Sequence, residues 1–98
     1  MFNEVVLVGR LVVNPQIDNN ECNIMLAVNR NFKNEDGIYE ADFIPVILTG
    51  QIAKKCSEYC KKGDMVAVRG RIQRISNDET LKIVVNKLSF LSSRKEEK

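Results

Sequence analysis

Hydrophobic and polar residues alternate along most of this chain, which is the period of β-strands that bury one face. The clearest case is residues 22–30, where Cys22, Ile24, Leu26 and Val28 fall on one side. Similar patterns predict further strands over residues 3–13, 39–49, 65–75 and 80–90. An Asp36-Gly37 pair predicts a hairpin between the second and third strands, and a polar stretch at residues 76–78 predicts the last turn.

Between the third and fourth strands the period changes to about 3.6 residues, which predicts a single helix. Its apolar face would carry Ile52, Cys56, Tyr59 and Cys60, with Gly63 as a left-handed cap at its end. We interpret Tyr59, and Phe90 in the last strand, as core residues. Glycines inside the first and fourth strands suit the sharp coiling of a small barrel. The pattern therefore predicts an all-β fold, a five-stranded Greek-key OB-fold barrel with one helix between strands three and four. An SH3-like barrel lacks that helix.

The 98-residue length fits a single domain, which we expect over residues 1–91, followed by a short polar tail at 92–98. The absence of His excludes Ser-His-Asp relays and His-ligated metal sites. We expect no enzymatic activity and no cofactor. The cysteines lack metal-binding or disulfide spacing, so buried, reduced thiols are predicted. No membrane span or secretory signal is recognised, which favours a cytoplasmic protein.

Two aromatic residues suggest a binding surface. Phe43 has the parity of the outer face of its strand, and Phe32 is flanked by Arg30 and Lys33 beside the predicted hairpin. Single-stranded nucleic acids bind where bases stack on aromatic rings and cations follow the phosphates. The alternative is that both rings pack against a loop or a protein partner. The hairpin acids, including Glu40 and Asp42, are expected to be solvated, with ordinary pKa values and no catalytic role.

Basic residues also mark the last two strands, although the net charge of +2 does not by itself indicate a nucleic-acid binder. Arg69, Arg71 and Gln73 alternate and so point to one side of the fourth strand. Arg74 and Lys82 are expected beside them on the last hairpin. A solvated face and a phosphate-binding surface both remain open as interpretations.

Several segments resemble one known family. Residues 3–11 with Asn14-Pro15, and residues 26–32, 40–44, 59–64 and 68–73, are similar in sequence and spacing to bacterial single-stranded DNA-binding proteins. The resemblance implies an OB-fold homo-oligomer that coats single-stranded DNA during replication, recombination and repair, associated with the nucleoid. A homotetramer is favoured over a homodimer.

The resemblance also implies roles for single residues. Phe32 and Phe43 match positions where the family has stacking aromatics, and Arg10, Arg30, Arg71 and Arg74 match positions at or near phosphate contacts. Two further aromatic positions of the family hold Thr49 and Asn77 in this chain. We therefore expect a reduced stacking surface.

The last residues of the chain differ from the long tail with an acidic tip by which family members recruit other proteins. Because this sequence ends in Lys-Glu-Glu-Lys, we do not expect replication proteins to be recruited through such a tip. Residues 44–50 also resemble a strand of the primosomal replication protein N family. That resemblance implies the alternative of an assembly protein whose sheet face docks another replication protein.

Overall fold

Strands form where apolar residues alternate with polar ones. The computed structural model describes residues 1–75 and 79–92. The elements in chain order are β1 (Val5–Leu11), β2 (Ile17–Asp18), β3 (Glu21–Lys33), β4 (Tyr39–Thr49), α1 (Gly50–Tyr59), β5 (Met65–Arg74) and β6 (Leu81–Ser92). The five predicted strands and the helix are all present. The two-residue β2 is an addition between the predicted strands over residues 3–13 and 22–30. The predicted turn at residues 76–78 and residues 93–98 of the predicted tail lie outside the described residues.

The sheet closes into a barrel. Its strand order is β1-β5-β6-β4-β3-β2, and a further pairing of β1 with β3 closes the five longer strands into a ring, with β2 attached to β3. The pairing of β4 with β6 is parallel and is confined to Val46 and Ile47, whereas the other pairings are antiparallel. Pro45 lies just before this pairing, where a missing N–H costs no ladder bond to β6. A closed five-strand barrel with one helix between β4 and β5 confirms the predicted OB fold.

The alternating residues decide which side of each strand is buried. The predicted inner set of β3 fills the barrel, with Cys22 and Leu26 fully buried. On β4, Val46 and Leu48 are buried while Phe43, of the opposite parity, is exposed. The remaining members of the core are Leu11, Ile24, Ala53, Cys56, Cys60, Val66, Val68, Ile83 and Val85. The strand faces that point away from this core are therefore available for binding.

Two glycines allow strands to approach each other closely at the barrel seams. A Cβ added at Gly9 would lie 2.7 Å from the carbonyl oxygen of Ala27 on β3. A Cβ at Gly70 would overlap the carbonyl oxygen of Val84 on β6. The register also shifts between Arg69 and Gly70. The predicted role of these glycines in coiling the barrel thus has a steric reason.

The end of the helix and the two supposed core aromatics differ from the prediction. Helix α1 ends at Tyr59, and Gly63 has a φ of +94° in the turn that follows rather than at the helix cap. Tyr59 and Phe90 are 67% and 48% exposed, so their assignment to the core is wrong. Their rings meet edge to face with centroids 6.1 Å apart. Both residues have core parity, and the register partner of Phe90 is the buried Val66, yet both rings line an open groove together with Met65 and Leu91.

The cysteines behave as predicted. Cys22, Cys56 and Cys60 are all free thiols and all buried in the core. Burial raises the pKa of each thiol, most strongly that of Cys56. The thiols are therefore protonated at neutral pH. Separately, the described part of the chain contains no helix with the length and apolar character of a membrane span.

Candidate nucleic-acid interface

The centre of the candidate surface is a row of residues that crosses three strands. Arg10 on β1 is the register partner of Ala27 on β3, and Ala27 is in turn the partner of Phe43 on β4. Register partners point to the same side of a sheet, so Arg10 and Phe43 flank the small Ala27 side chain on the outside of the barrel. The Phe43 ring is 61% exposed. The row therefore combines an open aromatic face with an arginine whose backbone lies about two strand spacings, or ~10 Å, away.

Arg10 is oriented by one hydrogen bond. Its Nη1 atom donates to the carbonyl oxygen of Gly63 over 2.9 Å. A guanidinium has five N–H donors, so this bond fixes the side chain while leaving most donors available for a phosphate. Asn14 supports the same turn by accepting a bond from the Lys62 backbone N–H over 2.7 Å.

The β3–β4 hairpin carries a second group of aromatic and basic residues. Phe32 is 61% exposed, and the Lys33 Nζ atom lies 5.7 Å from the centroid of the Tyr39 ring. Such a distance is typical of a cation–π contact. Tyr39 is itself 56% exposed and was missed from the sequence, although its parity on β4 matches that of Phe43. The hairpin thus offers an additional aromatic residue that the alternation rule could have found.

Arg30 does not stand free beside Phe32. Its Nε and Nη2 atoms donate to the two carboxylate oxygens of Asp42 over 3.1 and 2.8 Å, and its Nη1 atom donates to Glu40 over 2.7 Å. The hydrogen bonds from Arg30, and then its charge, lower the pKa of Asp42. The expectation of ordinary, solvent-controlled acids is therefore wrong for Asp42. The carboxylate is held in its ionised form.

A second outward row crosses the parallel pairing of the barrel. Ile47 on β4 is paired with Val84 on β6, and Val84 is paired with Arg71 on β5. The Arg71 Nε atom donates to the Gln73 side chain over 3.2 Å, as expected for residues on one side of a strand. Ile47 is only 5% exposed because neighbouring strands flank it on both sides. The charged residue of this row is therefore Arg71, on β5.

Lys82 links this row to the β3–β4 face. Its Nζ atom lies 3.4 Å from the Oδ1 atom of Asn23, whose register partner on β4 is Ile47. Lys82 is paired with Gln73 on β5, so it points to the same side as Gln73 and Arg71. Arg74 is the partner of Leu81 and has the opposite parity, so the expectation that it lies beside Lys82 holds for the backbone but not for the side chains. Arg71 and Lys82 thus extend the basic surface beyond Phe43.

Arg69, two residues before Arg71 on β5, forms an ion pair. It is the partner of Val6 on β1, and its Nε atom lies 2.7 Å from the Glu4 carboxylate. The register shift after Arg69 places the extra residue, Asn86, on β6, so Arg69 and Arg71 still point to the same side of β5. Arg69 differs from Arg71 in having a carboxylate partner and in lying next to the exposed Val6 side chain.

The arrangement suits binding better than bond-making chemistry. The described residues include no group of three or more Cys, Asp and Glu side chains able to hold a metal ion. The exposed rings and cations lie on the outer side of the barrel, where a flexible strand with bases and phosphates can follow them. That chemistry indicates a nucleic-acid ligand.

Comparison with known proteins identifies the relatives of this chain. Residues 2–91 match the model of the single-strand binding protein family. The chain belongs to this family. Single-stranded DNA-binding protein 1 of Clostridium acetobutylicum is 37% identical, over 97% of this chain and 98% of that protein. Single-stranded DNA-binding protein B of Bacillus subtilis strain 168 is 40% identical, over 90% of this chain and 84% of that protein.

Membership of the family confirms the resemblance inferred from the short segments. Within this single-strand binding fold, the supposed aromatic position late in β4 is Thr49, which is exposed. The second replaced position, Asn77, lies outside the described residues. The matching relatives are named as single-stranded DNA-binding proteins, so the alternative of a primosomal assembly protein is not favoured.

Proposed function

We propose that this protein binds single-stranded DNA without sequence preference. Bases stack on Phe32 and Phe43, and phosphates lie against Arg10, Arg71, Lys33 and Lys82. The single observation that supports this most strongly is the row in which Arg10 and Phe43 flank Ala27. Every base has a π-face, so stacking tolerates any sequence. The role that follows is protection of single strands in replication, recombination and repair, in association with the nucleoid.

The test is a fluorescence anisotropy titration of labelled oligo-dT and of a duplex of the same length. We expect tight binding to oligo-dT that weakens as salt rises, with a slope of about 0.7 per phosphate contact. Phe43→Ala should weaken binding roughly 5- to 150-fold, the effect of losing one stacked base at ~1–3 kcal/mol. Tyr59→Ala is the matched control, since this exposed ring lies beside Phe90. Equal affinity for duplex and oligo-dT would overturn the proposal.

We further propose that the protein assembles with copies of itself, as a homotetramer rather than a homodimer. On β1, Val6 and Val8 are 61% and 47% exposed on the outer face, next to Arg69 and Ala67 of β5. Apolar side chains adjacent on an open sheet are typical of a self-association surface. Sedimentation analysis should give four copies for the parent, and Val8→Glu should shift the mass toward smaller species. A monomeric parent would exclude self-association.

Replication proteins are the further partners that the proposed function implies. The exposed pair Tyr59 and Phe90 offers one apolar surface outside the proposed DNA path, in a groove also lined by Met65 and Leu91. The expectation that the chain is not an enzyme stays a prediction.

A further inference from the structure

The ladder between β3 and β4 is interrupted beside the proposed stacking residues. Asn29 is paired with Ala41 and the next pair is Lys33 with Tyr39, so three residues of β3 face only Glu40 on β4. A bulge of this kind leaves its extra residues without regular ladder partners. Phe32 lies within it and exposes 61% of its surface. The position of Phe32 therefore depends on contacts other than the backbone ladder.

Side chains bridge the interruption. Arg30, which begins the bulge, forms a two-bond fork with Asp42 and a third bond with Glu40. Asp42 follows the regular pairing of Ala41, and Glu40 is the residue opposite the bulge. We call Arg30, Asp42, Glu40 and Asn34 the Arg30 clamp. Its guanidinium ties both sides of the bulge together where the backbones do not.

Asn34 extends the clamp into the hairpin turn. Its Nδ2 atom donates to the second carboxylate oxygen of Glu40 over 3.0 Å. Its Oδ1 atom accepts bonds from the backbone N–H groups of Asp36 and Ile38, over 2.8 and 3.0 Å. A continuous chain of polar contacts thus runs from Asp42 to the turn, with Phe32 on the segment that it encloses.

The charges of the clamp oppose a phosphate at Arg30. One guanidinium faces two carboxylates, and the lowered pKa of Asp42 reflects the hydrogen bonds and charge that it receives from Arg30. A phosphate would have to displace a bidentate carboxylate and then lie beside the remaining negative charges. The three basic side chains Arg10, Arg71 and Lys82 have no carboxylate at this distance among the described residues.

We infer that Arg30 is a positioning residue, whose clamp holds the bulge so that Phe32 is presented together with Phe43, and that Arg30 does not contact phosphate. The inference rests on the proposed binding of single strands. It replaces the phosphate contact that the family resemblance implied for Arg30. The acids Asp42 and Glu40 then promote binding of a polyanion, which is the opposite of their direct electrostatic effect.

The sign of one substitution separates the two roles. Asp42→Asn removes a negative charge and weakens the clamp. If the clamp positions Phe32, Asp42→Asn weakens oligo-dT binding roughly 3- to 10-fold, because the stacking on Phe32 is weakened rather than removed. If Arg30 contacts phosphate, the same substitution releases it and strengthens binding. Glu35→Gln is the matched control, because Glu35 is an exposed acid of the same hairpin, and its binding should be unchanged or slightly stronger.

Salt dependence and a second variant complete the test. Arg30→Gln should lower the affinity without changing the salt slope, whereas loss of a phosphate contact would reduce the slope by about 0.7. Glu40→Gln should repeat the sign of Asp42→Asn, and circular dichroism melting identifies any variant that does not fold. Stronger binding by both acid variants, with a reduced slope for Arg30→Gln, overturns the inference. If Phe43→Ala still weakens binding in that case, the proposed function stands without the clamp.

Discussion

Arg10 and Phe43 lie on opposite sides of Ala27 because Ala27 is the register partner of both residues. A small residue at the middle of the row keeps the path between the cation and the ring open. The two outer residues contribute different physical terms, charge and stacking. These terms can be separated by experiment.

Substitution of the two residues should change different parameters of binding. Arg10→Gln should weaken oligo-dT binding and reduce the salt slope by about 0.7, because one phosphate contact is lost. Phe43→Ala should weaken binding with an unchanged slope, because stacking releases no counterions. Both slopes are measured by anisotropy between 50 and 300 mM salt, roughly the range in which counterion release dominates. An unchanged slope for Arg10→Gln would remove Arg10 from the phosphate path.

The ion pair of Asp42 predicts a definite pH dependence. Its pKa in the folded protein is lowered by Arg30, so its stabilising contribution is present above the ordinary Asp pKa of ~3.9. That contribution is lost as the pH falls through the lower folded value. A carbon-detected NMR titration should find the Asp42 pKa below ~3.9 in the parent and close to it in Arg30→Gln. Identical titration in both proteins would contradict the ion pair in solution.

Gly70 should be the glycine of the barrel least tolerant of substitution. Gly70→Ala places a methyl group against the carbonyl oxygen of Val84, and backbone shifts of this kind cost about 1–3 kcal/mol or more. Gly37→Ala is the control, because no atom lies within 4 Å of its added Cβ and only its φ of +77° opposes it. Chemical denaturation should give a larger loss of stability for Gly70→Ala. Equal losses would show that the β5–β6 seam can widen freely.

The cysteines should react only after unfolding. Burial limits the access of reagents to Cys22, Cys56 and Cys60. It also raises the pKa of each thiol, which reduces the thiolate fraction. Iodoacetamide at neutral pH should modify the folded protein slowly and the denatured protein at all three positions. Mass spectrometry counts the modified sites. Rapid modification of Cys56 in the folded protein would show that the helix opens readily.

Much of the fold follows from local periodicity. The alternating residues predicted strand β4 with its observed bounds and placed Phe43 outside and Val46 inside, since side chains of a strand point alternately to its two faces. The change of period located α1, and the glycines marked the seams of the barrel. These properties depend on residues close together in the chain, so the sequence alone determined them.

The tertiary structure decided which residues meet. The row from Arg10 to Phe43 depends on the register of three strands, and the clamp on Arg30 depends on a bulge that the alternation of β3 does not reveal. Tyr59 and Phe90 have core parity yet lie exposed, because parity fixes the side to which a residue points and not what covers it. The charge of a side chain follows from its residue type, but long-range pairing decides which group it meets. That pairing places Arg30 against two carboxylates and Arg10 against a backbone carbonyl.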